Sequence, residues 1–348
     1  MKFKEVAEVF SSIEQTSSRN EITEILAKLL KRASPKEADI ICNITLGELY
    51  PPYHESMFNI AQKNMVLIIA QLLEQPANQI KNEFKKIGDL GIIVAHGNWK
   101  QQKEELTVLD VYNQLIALEK ISGSGSQEKK VQALHGLLQS VDPESAKYIV
   151  RIVLGKLRLG FSDMTVIDAL SWMEIGDKSL KPIFEKAYNV SVDLGLIAQT
   201  LKKDGLEAVK KMTISVGIPI RPAAAERLPT AQAIFDKIGS CIAQPKLDGF
   251  RLQIHLDKQA KKPKIYFFSR NLKDMSAMFP DLVTALEKLD VDTLICEGEA
   301  IGYDVNTDAF LPFQETVKRK RKHGVDAAAS EFPLKLFLFD LLFLKVGS

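Results

Sequence analysis

Lys246-Leu247-Asp248-Gly249-Phe250-Arg251 brings a lysine, an Asp-Gly turn and an arginine into one short run. An unprotonated lysine amine is a nucleophile, and a guanidinium grips phosphate oxygens two at a time. Taken alone, the run fits a charged hairpin equally well, with Lys246 ending one strand and Arg251 on the outgoing one. Three further segments accompany it in order: Ser269-Arg270-Asn271, Glu297-Gly298-Glu299 and Leu338-Phe339-Asp340. Glu299 follows Lys246 by 53 residues, and Phe339 follows Glu299 by 40. Each segment also has a plain structural alternative: Arg251 and Arg270 as surface charges, Glu297 and Glu299 on a solvated strand face, Phe339 in a core. The set is more informative than any member of it.

As a set, these motifs resemble the nucleotidyltransferase motifs of covalent polynucleotide ligases. The resemblance implies that Lys246 attacks the α-phosphate of ATP, expels pyrophosphate and holds AMP through a phosphoramidate bond. Such an amine must first lose its proton, which neighbouring cations and Mg²⁺ favour, and Arg251 is one such cation as well as a phosphate clamp. The charge that develops on phosphorus asks for metal and fixed positive groups rather than for acid–base residues. By the same resemblance Glu299 is a metal or ribose ligand, Arg270 a ribose contact, and Phe339 the ring that stacks on adenine. Gln244 stands where many ligases place a glutamate that accepts from the adenine amino group, and its amide oxygen can still accept.

The likeness extends into the first half of the chain. Tyr148-Ile-Val-Arg151, continuing through Lys156, Arg158, Gly160 and Ser162 to Thr165, resembles the DNA-binding domain that precedes the catalytic core in archaeal and eukaryotic-type replicative ligases. Arg151, Lys156 and Arg158 are expected at phosphates, and the turn at Gly160 to Ser162 is expected to open the N–H groups that begin the next helix. Ser124 and Ser126, in the Ser122–Ser126 run SGSGS, offer a second such helix start. None of these groups reads base identity, as suits sealing nicks in any sequence. The alternative is a buried helical turn with solvated basic residues. Lys318-Arg-Lys-Arg-Lys322 reads as a solvated helix face, a nuclear-localisation signal or a contact with the nicked duplex.

The elements that must position these groups fall into two kinds. Residues 1–215 read as helices: Ile22, Ile25, Leu26, Leu29 and Leu30 recur at helical spacing. Ser34-Pro35-Lys36-Glu37 is a capping box with proline at the first helical position. MVLIIAQLL, TVLDVYNQLIALEKI and EKKVQALHGLLQSV continue the pattern. Gly217-Ile-Pro-Ile-Arg-Pro222 bars a regular helix and marks the boundary. After one more helical stretch the pattern alternates. Phe250, Leu252, Ile254 and Leu256 fall on one strand face, with Arg251, Gln253 and His255 on the other. KPKIYFFSR, TLICEGEAIGYD and FPLKLFLFDLLFL follow as strands. The expected fold is multidomain: an all-α DNA-binding domain over 1–215, then an antiparallel α+β nucleotidyltransferase domain, an ATP-grasp-like ligase domain, over 216–348.

Composition permits this and excludes other classes. The 348 residues are 46% hydrophobic and 26% charged, as in globular proteins, and exceed what one core usually serves. Lys and Arg number 46 against 44 Asp and Glu, so nucleic-acid binding must rest on local clusters. No apolar run is long enough for a membrane span, and the start MKFKEVAEVFSSIEQ is charged where a signal peptide would be apolar. The expected location is the cytoplasm, with nucleoid association, or the nucleus in a eukaryote. Cys42, Cys241 and Cys296 form no CxxC pair and read as reduced core residues.

The implied cofactors are ATP and Mg²⁺. The implied partner is nicked double-stranded DNA, with a sliding clamp as a further candidate and a monomer as the full-length state. The resemblance also implies a second carboxylate, two lysines and an OB-fold domain beyond Ser348. A domain cut short there is expected to expose an apolar strand edge and to stop short of the full reaction. Competing readings are an RNA ligase or capping-type guanylyltransferase, which the long helical domain disfavours, and a non-catalytic DNA-binding fragment.

Overall fold

The computed structural model describes residues 1–348 apart from 55–56, 100–104, 161, 260–261, 322–323 and 347–348. Phe161 of the basic-turn motif and Lys322 of the basic run therefore lie outside the described residues. The chain divides into two compact units, Met1–Tyr188 with Val192–Met212, and Asn189–Ser191 with Thr213–Ser348. No helix among the described residues is long and apolar enough to cross a membrane.

The first unit is helical. Its elements are α1 (Phe3–Glu14), α2 (Arg19–Arg32), α3 (Pro35–Thr45), α4 (Gln62–Leu72), α5 (Ala77–Ile87), α6 (Leu90–Ala95) and α7 (Val108–Lys120). There follow α8 (Ser126–Gln139), α9 (Pro143–Val153), α10 (Asp163–Ile175), α11 (Lys181–Val190), α12 (Leu194–Asp204) and α13 (Leu206–Lys210). The capping box at Ser34 forms: the Glu37 N–H donates to Ser34 Oγ at 3.4 Å and the Ser34 N–H to Glu37 Oε2 at 2.8 Å. Those reciprocal bonds satisfy two donors that α3 would otherwise leave open. α3 packs on α12, α2 on α10 and α6 on α9. Phe10, Leu26, Leu30, Ile41, Ile69 and Ile149 are buried in this unit.

The second unit is built on an antiparallel sheet. Strand β1 (Phe250–Asp257) pairs with β2 (Lys264–Ser269) on one side and β3 (Thr293–Asp304) on the other. β3 pairs in turn with β4 (Ala309–Phe310) and β5 (Leu334–Lys345). Helices α14 (Ala231–Ile238), α15 (Pro280–Leu286), α16 (Phe313–Thr316) and α17 (Val325–Glu331) complete it. Leu252, Ile254 and Leu256 pack with Phe267, Phe279 and Leu282 into one core cluster.

Four expectations are corrected here. Lys246 does not end a strand: residues 241–248 carry no strand, and β1 starts at Phe250. Because β2 and β3 already occupy both edges of β1, no edge is left for a hairpin partner, and Pro245 also lacks an N–H to donate. The polar face of β1 is open to solvent only at Arg251, since Gln253 and His255 are buried. Segment 217–220 lies over it: the Gly217 N–H donates to His255 Nδ1 at 3.1 Å, and the Ile220 N–H to Gln253 Oε1 at 2.7 Å. Cys42 and Cys296 are core residues as read, but Cys241 is exposed because its segment buries no side chain. Within the basic run, Arg319 is fully buried and paired with Asp281, while Lys318, Lys320 and Arg321 are exposed.

Candidate functional site

In the second unit, register sets the site. Arg251 on β1 stands opposite Glu299 on β3, and Glu299 stands opposite Phe337 on β5. Glu297 opposes Asp340 while Gly298 opposes Leu338, so Phe339 has no partner across the ladder. A bulge of this kind re-aims the extra side chain and is a common device at working sites. The Arg251 guanidinium lies 5.4 Å from the centre of the Phe339 ring. Gln244 Nε2 donates to the Phe339 carbonyl at 3.1 Å, tying the segment before Lys246 to β5. Gly298 is required in this geometry, because a Cβ there would stand 2.7 Å from the Phe337 carbonyl oxygen.

Gly249 does the corresponding work beside the lysine. A Cβ on it would come within 2.4 Å of the Ala300 carbonyl oxygen, so only glycine lets the chain lie against β3 here. In that position its N–H donates to Glu299 Oε1 at 3.0 Å. Burial pushes the Glu299 carboxyl above the usual carboxylate range, while the Gly249 N–H, Arg251 and Lys246 pull the other way. Lys246, Asp248, Arg251 and Glu299 thus share one electrostatic environment. Lys246 itself is exposed. Arg251 pairs with buried Glu297, which also accepts from Gln253 Nε2 at 3.3 Å. Gln253 Oε1 takes a second bond from His255 Nε2 at 3.0 Å, and burial holds the His255 imidazole down to about 3. Arg270, exposed just after β2, lines a recess with Pro222, Arg251, Gln253, Ser269 and Glu297.

All six residues singled out in this half, Gln244, Lys246, Arg251, Arg270, Glu299 and Phe339, therefore gather around β1, β3 and the β5 bulge. No group of three or more His, Cys, Asp or Glu suited to a metal occurs among the described residues. The oxygen donors that a hard divalent cation prefers are Glu299, with one oxygen beyond its bond to Gly249, and Asp248 beside it.

In the first unit, Lys156, Arg158 and Gly160 lie on the connection between α9 and α10, and all three are exposed. Thr165 is half-buried in the first turn of α10, its N–H turned to the Ser162 carbonyl at 2.9 Å. Ser124 is exposed in the turn before α8, and Ser126 is that helix's first residue. Arg151 departs from its expected place at a phosphate. It is 4% exposed and is bound by Asp89, at 2.8 Å from Nη2, and by Glu14. It sits on the inward face of α9, where an unpaired charge would be prohibitive, so its guanidinium is given over to carboxylates.

Comparison with known proteins supplies the deciding observation. The family described as DNA ligase N terminus matches residues 2–171, and that described as ATP dependent DNA ligase domain matches residues 222–348. The chain belongs to the ATP-dependent DNA ligase family. A relative from Dictyoglomus turgidum named "Probable DNA ligase" is 43% identical over 99% of this chain and 59% of its own length. The "DNA ligase" of Saccharolobus solfataricus is 38% identical and "DNA ligase 2" of Thermofilum pendens 37%, again over 99% of this chain and 59% of theirs. The chain thus spans about three-fifths of the length of the curated relatives it matches.

For this ligase family member, sequence reasoning missed three supports of the site: Glu297 as the partner of Arg251, Gln253 as the bridge from Glu297 to segment 217–220, and the Gly249 N–H on Glu299. The alternation of β1 contained a signal, since a glutamine and a histidine at consecutive outward positions of a central strand must find partners if that face is covered.

Proposed function

We propose that this chain carries the nucleotide-activating site of an enzyme that seals nicks in duplex DNA. Lys246 attacks the α-phosphate of ATP, pyrophosphate leaves, and AMP stays on the amine as a phosphoramidate. AMP then passes to the 5′-phosphate at a nick, and the 3′-hydroxyl displaces it. The observation that carries this reading is the convergence of exposed Lys246, half-buried Glu299 and Arg251 beneath the Phe339 ring. In these roles Arg251 clamps phosphate, Arg270 and Glu299 hold the ribose side, Phe339 stacks on adenine, and Gln244 accepts from or donates to the base edge.

Mg²⁺ fits the donor set of Glu299 and Asp248, and when bound would neutralise charge on the phosphates. The first unit supplies phosphate contacts through Lys156, Arg158 and the turns at Gly160–Thr165 and Ser124–Ser126, with exposed Lys318, Lys320 and Arg321 adding others on the second unit. A sliding clamp is a candidate partner, the full-length protein is read as a monomer, and the location as the cytoplasm at the nucleoid, or a nucleus.

The test is incubation with α-labelled ATP and Mg²⁺ followed by denaturing electrophoresis. A covalent AMP band is expected, lost in Lys246→Ala and on chelation of the metal. Labelling that survives Lys246→Ala, or that uses GTP in place of ATP, overturns the assignment.

A further inference from the structure

Among its described residues, the connection between α9 and α10 holds three in left-handed backbone: Gly155 at φ 64°, Arg158 at φ 62° and Gly160 at φ 75°. Glycine adopts this region freely, whereas an arginine there must be held by its surroundings. The holder is the corner between α5 and α6. Arg158 Nη2 donates to the Gly88 carbonyl at 2.9 Å, and Nη1 lies 3.4 Å from Asp89 Oδ2. Asp89 is also the N-cap of α6, accepting the Gly91 N–H at 2.8 Å.

Asp89 Oδ2, the oxygen beside Arg158, also receives Arg151, Nε at 3.2 Å and Nη2 at 2.8 Å. Arg151 Nη1 in turn reaches the Leu157 carbonyl at 3.5 Å, so Asp89 steadies the connection through its backbone as well. α6 can come this close to α9 only because residue 91 is glycine: a Cβ there would meet the Lys147 carbonyl oxygen at 2.9 Å. The two arginines differ in exposure, Arg151 side chain 5% and Arg158 side chain 48%. One is buried within the corner, and the other leaves part of its guanidinium facing solvent.

We infer that Asp89 is a positioning residue for DNA binding, fixing Arg158 through a carboxylate shared with buried Arg151 so that its exposed edge meets a backbone phosphate. The inference rests on the proposal that this connection contacts duplex DNA. A guanidinium has five N–H donors; the Gly88 carbonyl and Asp89 engage the inner ones, and the outer ones match phosphate oxygens. Holding the side chain beforehand removes ordering that binding would otherwise require. Asp89 is buried and contacts both Arg151 and Arg158, which offset its charge towards a phosphate.

The test uses the full chain and a fluorescent nicked duplex, with Kd measured across a salt series for the wild type, Arg158→Ala, Asp89→Asn and the double variant. Each single variant should weaken binding by about tenfold, as for one charge-assisted contact. Each should also lower the salt slope by about 0.9, the value for one phosphate. The double variant should bind no more weakly than Arg158→Ala, because both changes remove the same contact. Additive losses, or tighter binding by Asp89→Asn, overturn the inference. Arg158→Ala alters only a half-exposed side chain, so wild-type affinity and slope in that variant overturn it even if Asp89→Asn fails to fold. A wild type that shows no salt-dependent binding instead defeats the DNA-binding reading itself.

Discussion

Glu299 shows how a single residue's surroundings set its chemistry. Its carboxyl lies above the ordinary range because burial outweighs Gly249, Arg251 and Lys246. A raised carboxyl is ionised only above its shifted value, so any step that needs the carboxylate weakens as pH falls, at a pH higher than the ordinary glutamate value of about 4.3. In the proposed reaction, the rate of Lys246–AMP formation, followed from mildly acidic to neutral pH, should show that limb. Glu299→Gln should flatten it and slow the step by about 100-fold, as for loss of a preorganised electrostatic group. An unchanged limb in the variant would assign it to another residue. At the same scale, the pairing of Arg251 with Glu297 was hidden in the sequence, where only Glu299 of Glu297-Gly298-Glu299 was given a role. Strand alternation alone places them on one face; burial and the bulge decide which meets the arginine and which the Gly249 N–H.

Among elements, α1, α6 and α9 are joined by the network of Glu14, Asp89, Lys147 and Arg151. Arg151→Ala would leave Asp89 buried without its main partner. The expected loss is about 3–5 kcal/mol in a urea melt, the usual result of breaking one side of a buried pair. A loss below 1 kcal/mol, roughly that of a surface pair, would show the network to be solvated. The contact of α3 with α12 carries the opposite tension. Burial first, and the Asp193 charge second, push the Asp39 carboxyl up to about 6. Since the folded value exceeds the unfolded one, the stability this group contributes is present at low pH and lost as pH rises through about 6. Asp39→Asn should therefore match the wild type near pH 4 and exceed it near pH 8 by about 1–2 kcal/mol, discounted for partial exposure. Equal stability at both ends would remove Asp39 from the account.

At the scale of the molecule, the chain comprises two compact units, so unfolding need not be a single transition and one Tm does not describe it. The second unit leaves apolar side chains on β5 open, with Leu338 at 47%, Leu341 at 58% and Leu344 at 45% exposure. Among the described residues β5 pairs only with β3, so apart from the Phe339 carbonyl held by Gln244 its other edge has no strand partner and lies beside an apolar face, a template for association. Leu341→Lys should lower light scattering and oligomer content at high protein concentration. Unchanged self-association in that variant would locate the cause elsewhere.

The amino-acid sequence by itself determined the element types, the Ser34 capping box, the strands at β1, β2, β3 and β5, and the order of the motifs that mark an ATP-dependent DNA ligase. These depend on periodicity, turn chemistry and residue type over short spans, which local physics dictates. It could not rank the cations of the α9–α10 motif, because their partners lie far along the chain: Asp89 is 62 residues from Arg151, and Glu14 is 137. Nor could it show that β1 has both edges filled, that Phe339 sits in a bulge, or that Cys241 is exposed. Only the tertiary structure decided these, because charge pairing, edge occupancy and burial are properties of what the fold brings together across distance.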